Sequence, residues 1–413
     1  MKRYNNTSPL LNILRILLGL LFVFSGFVKC IDPTGGAIKI EDYFVAWGLD
    51  VPFSVDMALS LIQNVLEFTA GFLLLFDLFV PISSLVVLAF MVVFTPLTLY
   101  IAIADPVSDC GCFGDAVKLT NWQTFYKNLI FLPMAIIVFA NRKNFHSRLT
   151  KGGQMSAALI GIITAVIISF TGISNEPLID FRPFAVGTDI HEAMSVPADA
   201  EQPEYRTTFI MEKDGVQQEF DEFNYPYGDS TWVFIDSKLE VLNEGYVPPI
   251  KDFTLTDTHG NAMTGMILSS SRPVMLAISP NILDVGDEEA QKLLNLSRIA
   301  AENEYMFFIA SASPEAHLHQ FESQAGAGFE FVQGDETMLK TITRSNPGII
   351  VIQNGVIVAK YHINHLPYDR ELANPTAAYL TNIESQYARL FVISLIFALG
   401  ILLITIYKYH RQK

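Results

Sequence analysis

The chain has 413 residues, a formal net charge of -15, 51% hydrophobic residues and only 17% charged ones. That length exceeds one core and predicts at least two domains. The apolar residues are gathered in blocks, which excludes an ordinary soluble protein. No basic stripe could replace phosphate counterions, so a nucleic-acid partner is excluded as well. The acidic excess falls in the middle and later parts and marks a solvated domain.

Lys2 and Arg3 precede an apolar run with no small-residue cleavage site after it. This predicts a retained first helix rather than a removed signal. Apolar stretches of about 18 or more residues can cross a bilayer as helices, and six are expected. The first runs from about Leu10 to Val28. The second and third share the tract from about Met57 to Ala104, folded back near Asp77 to Pro81. The others cover about Trp122 to Ala140, Gln154 to Ile173 and Arg389 to Tyr407. Lys2 and Arg3, then Arg142, Lys143, Arg148 and Lys151, then Lys408, Arg411 and Lys413 all fall on one side of such a bundle. The positive-inside rule makes that side cytoplasmic. The expectation is a multi-pass inner-membrane protein in the lipid bilayer. Both termini are cytoplasmic, and the segment from about Ser174 to Gln386 is periplasmic.

In the first span Arg15, Gly19, Phe22, Gly26 and Lys29 recur at spacings of four, three, four and three, one helical face. A charge inside a membrane is costly unless it is paired or snorkels. Glu67 in the second span is the candidate partner of Arg15; the alternative is a snorkelling arginine and a glutamate satisfied by packing. Gly19 and Gly26 predict close helix packing.

The loop Asp105–Asp115, DPVSDCGCFGD, carries Cys110 and Cys112 to the outer interface. A C-x-C pair closes a small, strained ring, and strain makes a disulfide easier to reduce and therefore suited to exchange. Cys30, at the end of the first span, supplies a third thiol at similar depth, and Lys29 beside it could stabilise a thiolate. Three readings stand at this point: redox chemistry by Cys110, Cys112 and Cys30, a structural turn of small packing residues, or a metal site. No histidine in the outer loops completes a metal site, so no metal is expected.

The pattern L-R-x-x-x-G-x-x-F-x-x-S-G-x-x-K from Leu14 to Lys29, followed by Asp32-Pro33 and joined by Glu67, resembles the DoxX family. Cys110-Gly111-Cys112-Phe113-Gly114, followed by Trp122 and Asn128, resembles the methylamine-utilisation MauE branch of it. The resemblance covers the first third of the chain. It implies a four-helix membrane bundle, an association with disulfide formation in periplasmic partners and, through DoxX relatives, with quinone-linked oxidoreductases.

After the fifth span, Thr207 to Lys213 and Ser230 to Asp236 read as strands around an Asn224-Tyr225-Pro226 turn. From Pro248 the order is strand Pro273 to Ser279, helix Asp287 to Glu304, strand Met306 to Ser311, helix Ala316 to Ala325, strand Phe329 to Val332 and helix Glu336 to Thr343 capped by Asp335. Strands Gly348 to Gln353 and Val356 to Tyr361 follow, joined by Asn354-Gly355, a type I′ hairpin signal. Such an order makes an α/β layer structure. With Pro347 ahead of the hairpin it resembles the thioredoxin fold of TlpA-like domains. Where that family carries C-x-x-C, this chain reads Ser279-Pro280-Asn281-Ile282, so the domain has no nucleophile of its own. His317 and His319 are expected on a solvated helix face rather than on a metal.

The expected fold is an α-helical membrane bundle with an extracytoplasmic α/β thioredoxin-like domain. Its parts are a four-helix domain (1–140), a cytoplasmic loop and fifth span (141–173), a β-rich subdomain (174–247), the thioredoxin-like domain (248–386) and a sixth span with its tail (387–413). The expected function is thiol–disulfide redox support for extracytoplasmic client proteins, with quinone as the candidate cofactor. The alternative is a non-catalytic docking factor that grips a partner through the thioredoxin-like domain. A transporter is a third reading, motivated by Arg15 and Glu67 alone.

Overall fold

The computed structural model describes residues 8–410 except 108, 203 and 244. The orienting residues Lys2, Arg3, Arg411 and Lys413 lie outside the described residues. Helix α1 (Pro9–Ile31) opens on Ser8, whose hydroxyl accepts from the Leu11 N–H at 3.2 Å, with Pro9 in the first turn. After it comes a helix the sequence reading lacks, α2 (Pro33–Ala46), capped by Asp32. The chain then forms α3 (Phe53–Leu75), α4 (Val80–Ala104), α5 (Asn121–Ala140) and α6 (Lys151–Ser174). The turn expected near Asp77 is present, with Asp77 and Phe79 both at positive φ.

Among the described residues, α1, α3, α4, α5 and α6 are long and apolar enough to cross a membrane. The inward faces of α1, α3, α4 and α5 share a core around Leu18, Phe22, Leu74, Val87, Met91 and Val138, while α6 packs through Ala157, Ala165 and Ile168 on Phe68 and Phe72. Their outward faces expose Leu17, Ile62, Ile82, Ile130 and Leu159. A soluble protein would cover so much apolar surface; a bilayer does it here. The chain is a multi-pass membrane protein.

α1 and α3 cross closely because glycines remove the obstacle. A Cβ at Gly19 would lie 2.8 Å from the Leu75 backbone nitrogen, and one at Gly26 would strike the Phe68 backbone. These contacts fix the antiparallel register of the two helices and so decide which charges meet.

The region after α6 holds two sheets. The smaller contains β1 (Glu204–Lys213), β2 (Val216–Phe220) and β3 (Val233–Asn243) in the order β2-β1-β3, all antiparallel. Strand β2 was not expected, although Asp214-Gly215, both at positive φ, joins it to β1 as an Asp-Gly hairpin. The short helix α7 (Ile190–Met194) precedes this sheet and α8 (Thr264–Ser269) follows it.

The larger sheet begins with β4 (Val274–Ile278), a strand buried throughout. Then come α9 (Asp287–Glu302), β5 (Met306–Ser311), α10 (Glu315–Ala325), β6 (Phe331–Gln333), α11 (Glu336–Ile342), β7 (Gly348–Gln353) and β8 (Val356–His362). The order is β6-β5-β4-β7-β8, with β4, β5 and β6 parallel and β7 and β8 antiparallel. Alternation divides β4 between two cores. Met275 and Ala277 pack with Leu293, Leu296 and Phe321 of α9 and α10. Val274, Leu276 and Ile278 pack with Phe253, Leu255 and Leu339 on the other side. Asn354 and Gly355 turn the last hairpin at positive φ, and the Asn346–Pro347 peptide is cis. This is the thioredoxin-like domain. Its second core also takes in Phe184 and Ile190, so the stretch leading out of α6 belongs to it. The three-stranded sheet is an insertion rather than a subdomain beginning at 174.

Beyond the short helix α12 (Asp369–Leu372), α13 (Pro375–His410) is continuous over 36 residues. Its start is tied to the sheet by the Tyr361 hydroxyl, which donates to the Ala378 carbonyl at 2.9 Å. Arg389 donates to Asn175 at 3.0 Å, and Gly400 faces Ile160. α13 therefore runs antiparallel along α6. At about 1.5 Å per residue, 36 residues outrun the hydrocarbon layer. The expected sixth span, Arg389 to Tyr407, falls inside this helix.

Candidate redox site at the C-x-C loop

α4 ends at Asp105, whose left-handed backbone turns the chain into the loop. The loop is held from three helices. Ser25 of α1 donates to the Cys112 carbonyl at 2.7 Å, and Tyr43 of α2 donates to the Cys110 carbonyl at 3.1 Å. Asn121 of α5 donates to the Asp105 carboxylate and the Val107 carbonyl. Asp109 accepts from the Gly111 N–H at 2.8 Å and pairs with Lys39 at 3.1 Å. Gly111, at φ +66°, permits the turn that folds the two cysteines toward each other. Their sulfurs are 2.9 Å apart as free thiols, both half-buried.

Their environments push the two thiols in opposite directions. The hydrogen bond from Cys110 holds Cys112 down to about 6 against the effect of burial, and the Lys127 and Lys29 ammonium groups add to the lowering. The same hydrogen bond, with burial, raises Cys110 well above the ordinary thiol range. At neutral pH this is a thiolate with a thiol donor beside it, the arrangement a nucleophilic cysteine needs.

Beside the loop lies a cavity of about 820 Å³. Cys110 and Cys112 line it together with Lys29, Asn64 and Phe94 from the bundle and Lys340 and Arg344 from the thioredoxin-like domain. Lys29 is locked to Glu67 at 2.7 Å with both side chains buried, and its ammonium lies 5.7 Å from the Phe94 ring centre.

The expected Arg15–Glu67 pair does not form. Arg15 instead donates to the Leu74 and Leu75 carbonyls and lies 3.9 Å from Asp77. The crossing register set by Gly19 and Gly26 explains this. Arg15 is level with the end of α3 at Leu75, eight residues and about 12 Å of helix rise from Glu67. Lys29 is level with Glu67 and takes the partnership. Cys30 is also not where a third thiol should be. It is fully buried against Phe68, Ala165 and Ile168, facing α6, and does not line the cavity. Neither a three-thiol relay nor a Cys30-completed metal site has its geometry. Asn128 is buried and donates to Thr98 at 3.1 Å, bracing α5 on α4, while Trp122 is exposed and stacks on Tyr126. His319 sits exposed on α10 between Glu315 and Glu322.

Residues 7–141 match the model of a family described as methylamine utilisation protein MauE. The membrane bundle is MauE-like. Residues 205–244 match a domain of unknown function (DUF8463), which coincides with the inserted sheet. No curated protein matches the chain. Among solved structures, a protein of Bacteroides thetaiotaomicron assigned as a disulfide isomerase is 15% identical. The match covers 28% of this chain and 77% of that one, at a TM-score of 0.23. A secreted Mycobacterium tuberculosis disulfide oxidoreductase homologous to E. coli DsbE is 20% identical, over 30% and 95% of the two chains, at a TM-score of 0.24.

In this thioredoxin-like domain the place of a C-x-x-C is sealed. Ser279 is buried and its hydroxyl donates to Asn346, whose amide in turn donates to the Asn281 carbonyl. The loop before Pro347 faces the MauE-like bundle. Thr343 and Ser345 donate to Glu176, just past α6. Arg344 bonds Asp32 and Asp115. Behind them Glu176 and Asp180 form a buried cluster with Arg182 and Lys360. Sequence reading missed Lys39, Tyr43 and Arg344. The Asp32-Pro33 helix start signalled the first two. Nothing local ties Arg344 to partners 312 and 229 residues away.

The buried cluster carries a pH signature. Burial would push the Asp180 carboxyl up, but Lys360 and Arg182 hold it well below the usual carboxylate range. A depressed carboxylate stabilises the fold above its unfolded value and loses that contribution as pH falls. The urea midpoint of the thioredoxin-like domain is therefore expected to drop as pH is lowered through about 4. Asp180→Asn is expected to flatten that dependence while lowering the midpoint at neutral pH. An equal acid slope in both forms would show that the cluster does not carry it.

Proposed function

We propose that the protein is a membrane thiol–disulfide redox protein in which Cys110 and Cys112 form the reversible pair. The supporting observation is the 2.9 Å approach of a lowered and a raised thiol at the edge of a cavity lined from the bundle by Lys29, Asn64 and Phe94. Oxidation of the pair forms the Cys110–Cys112 bond and releases two electrons and the remaining Cys110 proton. A membrane quinone is the class of oxidant that fits: Phe94 and Leu97 offer an apolar wall, and Lys29 a donor for a carbonyl oxygen. A quinone held there would accept both electrons with two protons and be released as quinol. In the exchange half, a client thiolate attacks Cys110, and Cys112, the better leaving group, departs as thiolate. A second client thiol then attacks the mixed disulfide. This yields the client disulfide and restores the Cys110 thiol. Cys30 takes no part in this scheme.

Thiol trapping in intact membranes tests the reading. After reduction and removal of the reductant, added ubiquinone or menaquinone is expected to restore the Cys110–Cys112 disulfide. Thiols that stay reduced with either quinone would overturn it and leave the docking-factor reading. That second reading has one observation in its favour, a thioredoxin-like domain without cysteines. Against it, the loop at Arg344–Asn346 is already engaged by the chain's own bundle and by Asn281.

A further inference from the structure

The thioredoxin-like domain, which contains no cysteine, reaches the C-x-C loop through Arg344. Arg344 follows α11, and its guanidinium is only 9% exposed. Its Nε donates to Asp32 at 2.9 Å, its Nη2 to Asp115 at 3.1 Å and its Nη1 to the Lys340 carbonyl at 2.7 Å. Asp115 stands three residues after Cys112, and Asp32 stands three residues after Lys29 and caps α2 at Gly35. Gly35 leaves room for this reach, since a Cβ there would lie 2.8 Å from Arg344 Nη2.

We propose that Arg344 is a positioning residue of the membrane redox site, cross-bracing the segment that carries Lys29 to the loop that carries Cys110 and Cys112. The inference rests on the redox reading of that pair. A planar guanidinium with two carboxylates fixes direction as well as distance, which a lysine cannot do. Both partners are partly buried, so the pairs escape much of the screening that weakens surface ion pairs. The neighbouring Lys340–Glu41 pair, at 3.4 Å, joins the same two domains without touching the C-x-C loop. Arg344 does not touch either sulfur. It acts by keeping Cys112 within reach of its Cys110 donor and of Lys29.

The test is the pH profile of Cys112 alkylation in the full-length protein in nanodiscs, under reducing conditions. In the parent the midpoint is expected at about 6. Arg344→Ala is expected to raise it by about one pH unit or more, toward an ordinary thiol. Asp115→Asn is expected to do the same, and the double variant to add little beyond either single one, because both cut one connection. Arg344→Lys is expected to recover part of the shift. An unmoved midpoint in Arg344→Ala, or additive shifts in the double variant, would overturn the proposal. Quinone-driven disulfide formation in the parent reports on the redox reading separately, so the failure of one is distinguishable from the failure of the other. Should Arg344→Ala not fold, Asp115→Asn and Arg344→Lys carry the test.

Discussion

In Cys110→Ala, the remaining Cys112 is expected to react with iodoacetamide about five-fold more slowly at pH about 6.5, while Cys112→Ser forms no Cys110-linked intramolecular disulfide at all. Magnitudes decide the first figure. Losing the Cys110 donor moves Cys112 from about 6 toward an ordinary thiol near 8.5, and its thiolate fraction falls by nearly two orders of magnitude. The more basic thiolate is the better nucleophile, with a Brønsted slope of about 0.4–0.5, which returns roughly tenfold. The net loss is therefore modest at mildly acidic pH. The sign reverses once the variant's thiolate fraction passes about a tenth, at pH about 7.5, and above pH about 8.5, where both forms are largely ionised, the more basic one reacts faster. Rates measured across that range separate the two effects. A Cys110→Ala protein with the parent's profile would mean that Cys110 does not set the Cys112 ionisation.

The second large effect concerns the Lys29–Glu67 pair. Removing one member of a buried ion pair leaves the other charge without compensation, which costs about 3–5 kcal/mol. Lys29→Ala and Glu67→Ala are each expected to lower the thermal midpoint of the bundle in detergent by many degrees. The double variant Lys29→Met/Glu67→Leu is expected to be less damaging than either single one, because no charge is then stranded. Double-mutant coupling is the quantity to measure. Single variants as stable as the parent would show that water or lipid headgroups reach the site and solvate the orphan.

Much of this architecture was legible because its signals are local. The strands of the thioredoxin-like sheet announce themselves by apolar runs and an Asn-Gly turn, and Asp335 caps α11 as its position suggests. The C-x-C loop was visible for the same reason. Helix α2 was not, because at 14 residues it is too short to read as a span and its charges hide its apolar side. Strand β2 was missed where Asp214-Gly215 should have announced it. The charge pairing was beyond local reading altogether. Whether Arg15 or Lys29 meets Glu67 depends on how two helices slide past each other, and Gly19 and Gly26 settle that only through contacts with Leu75 and Phe68. Arg344 is the extreme case, since its role exists only once three distant segments are assembled.

The attachment of the thioredoxin-like domain has a mechanical consequence. The chain enters that domain from α6 and leaves it through α13, and these two helices lie side by side in antiparallel contact. The domain thus hangs on one jamb, like a door. The Tyr361 bond to Ala378 at the start of α13 and the Glu176 bonds beside α6 hold it there. Of the contacts described, Arg344 on Asp32 and Asp115, with Lys340 on Glu41, work as the latch. Breaking them is expected to leave the domain tethered at α6 and α13 but no longer pinned over Cys110 and Cys112.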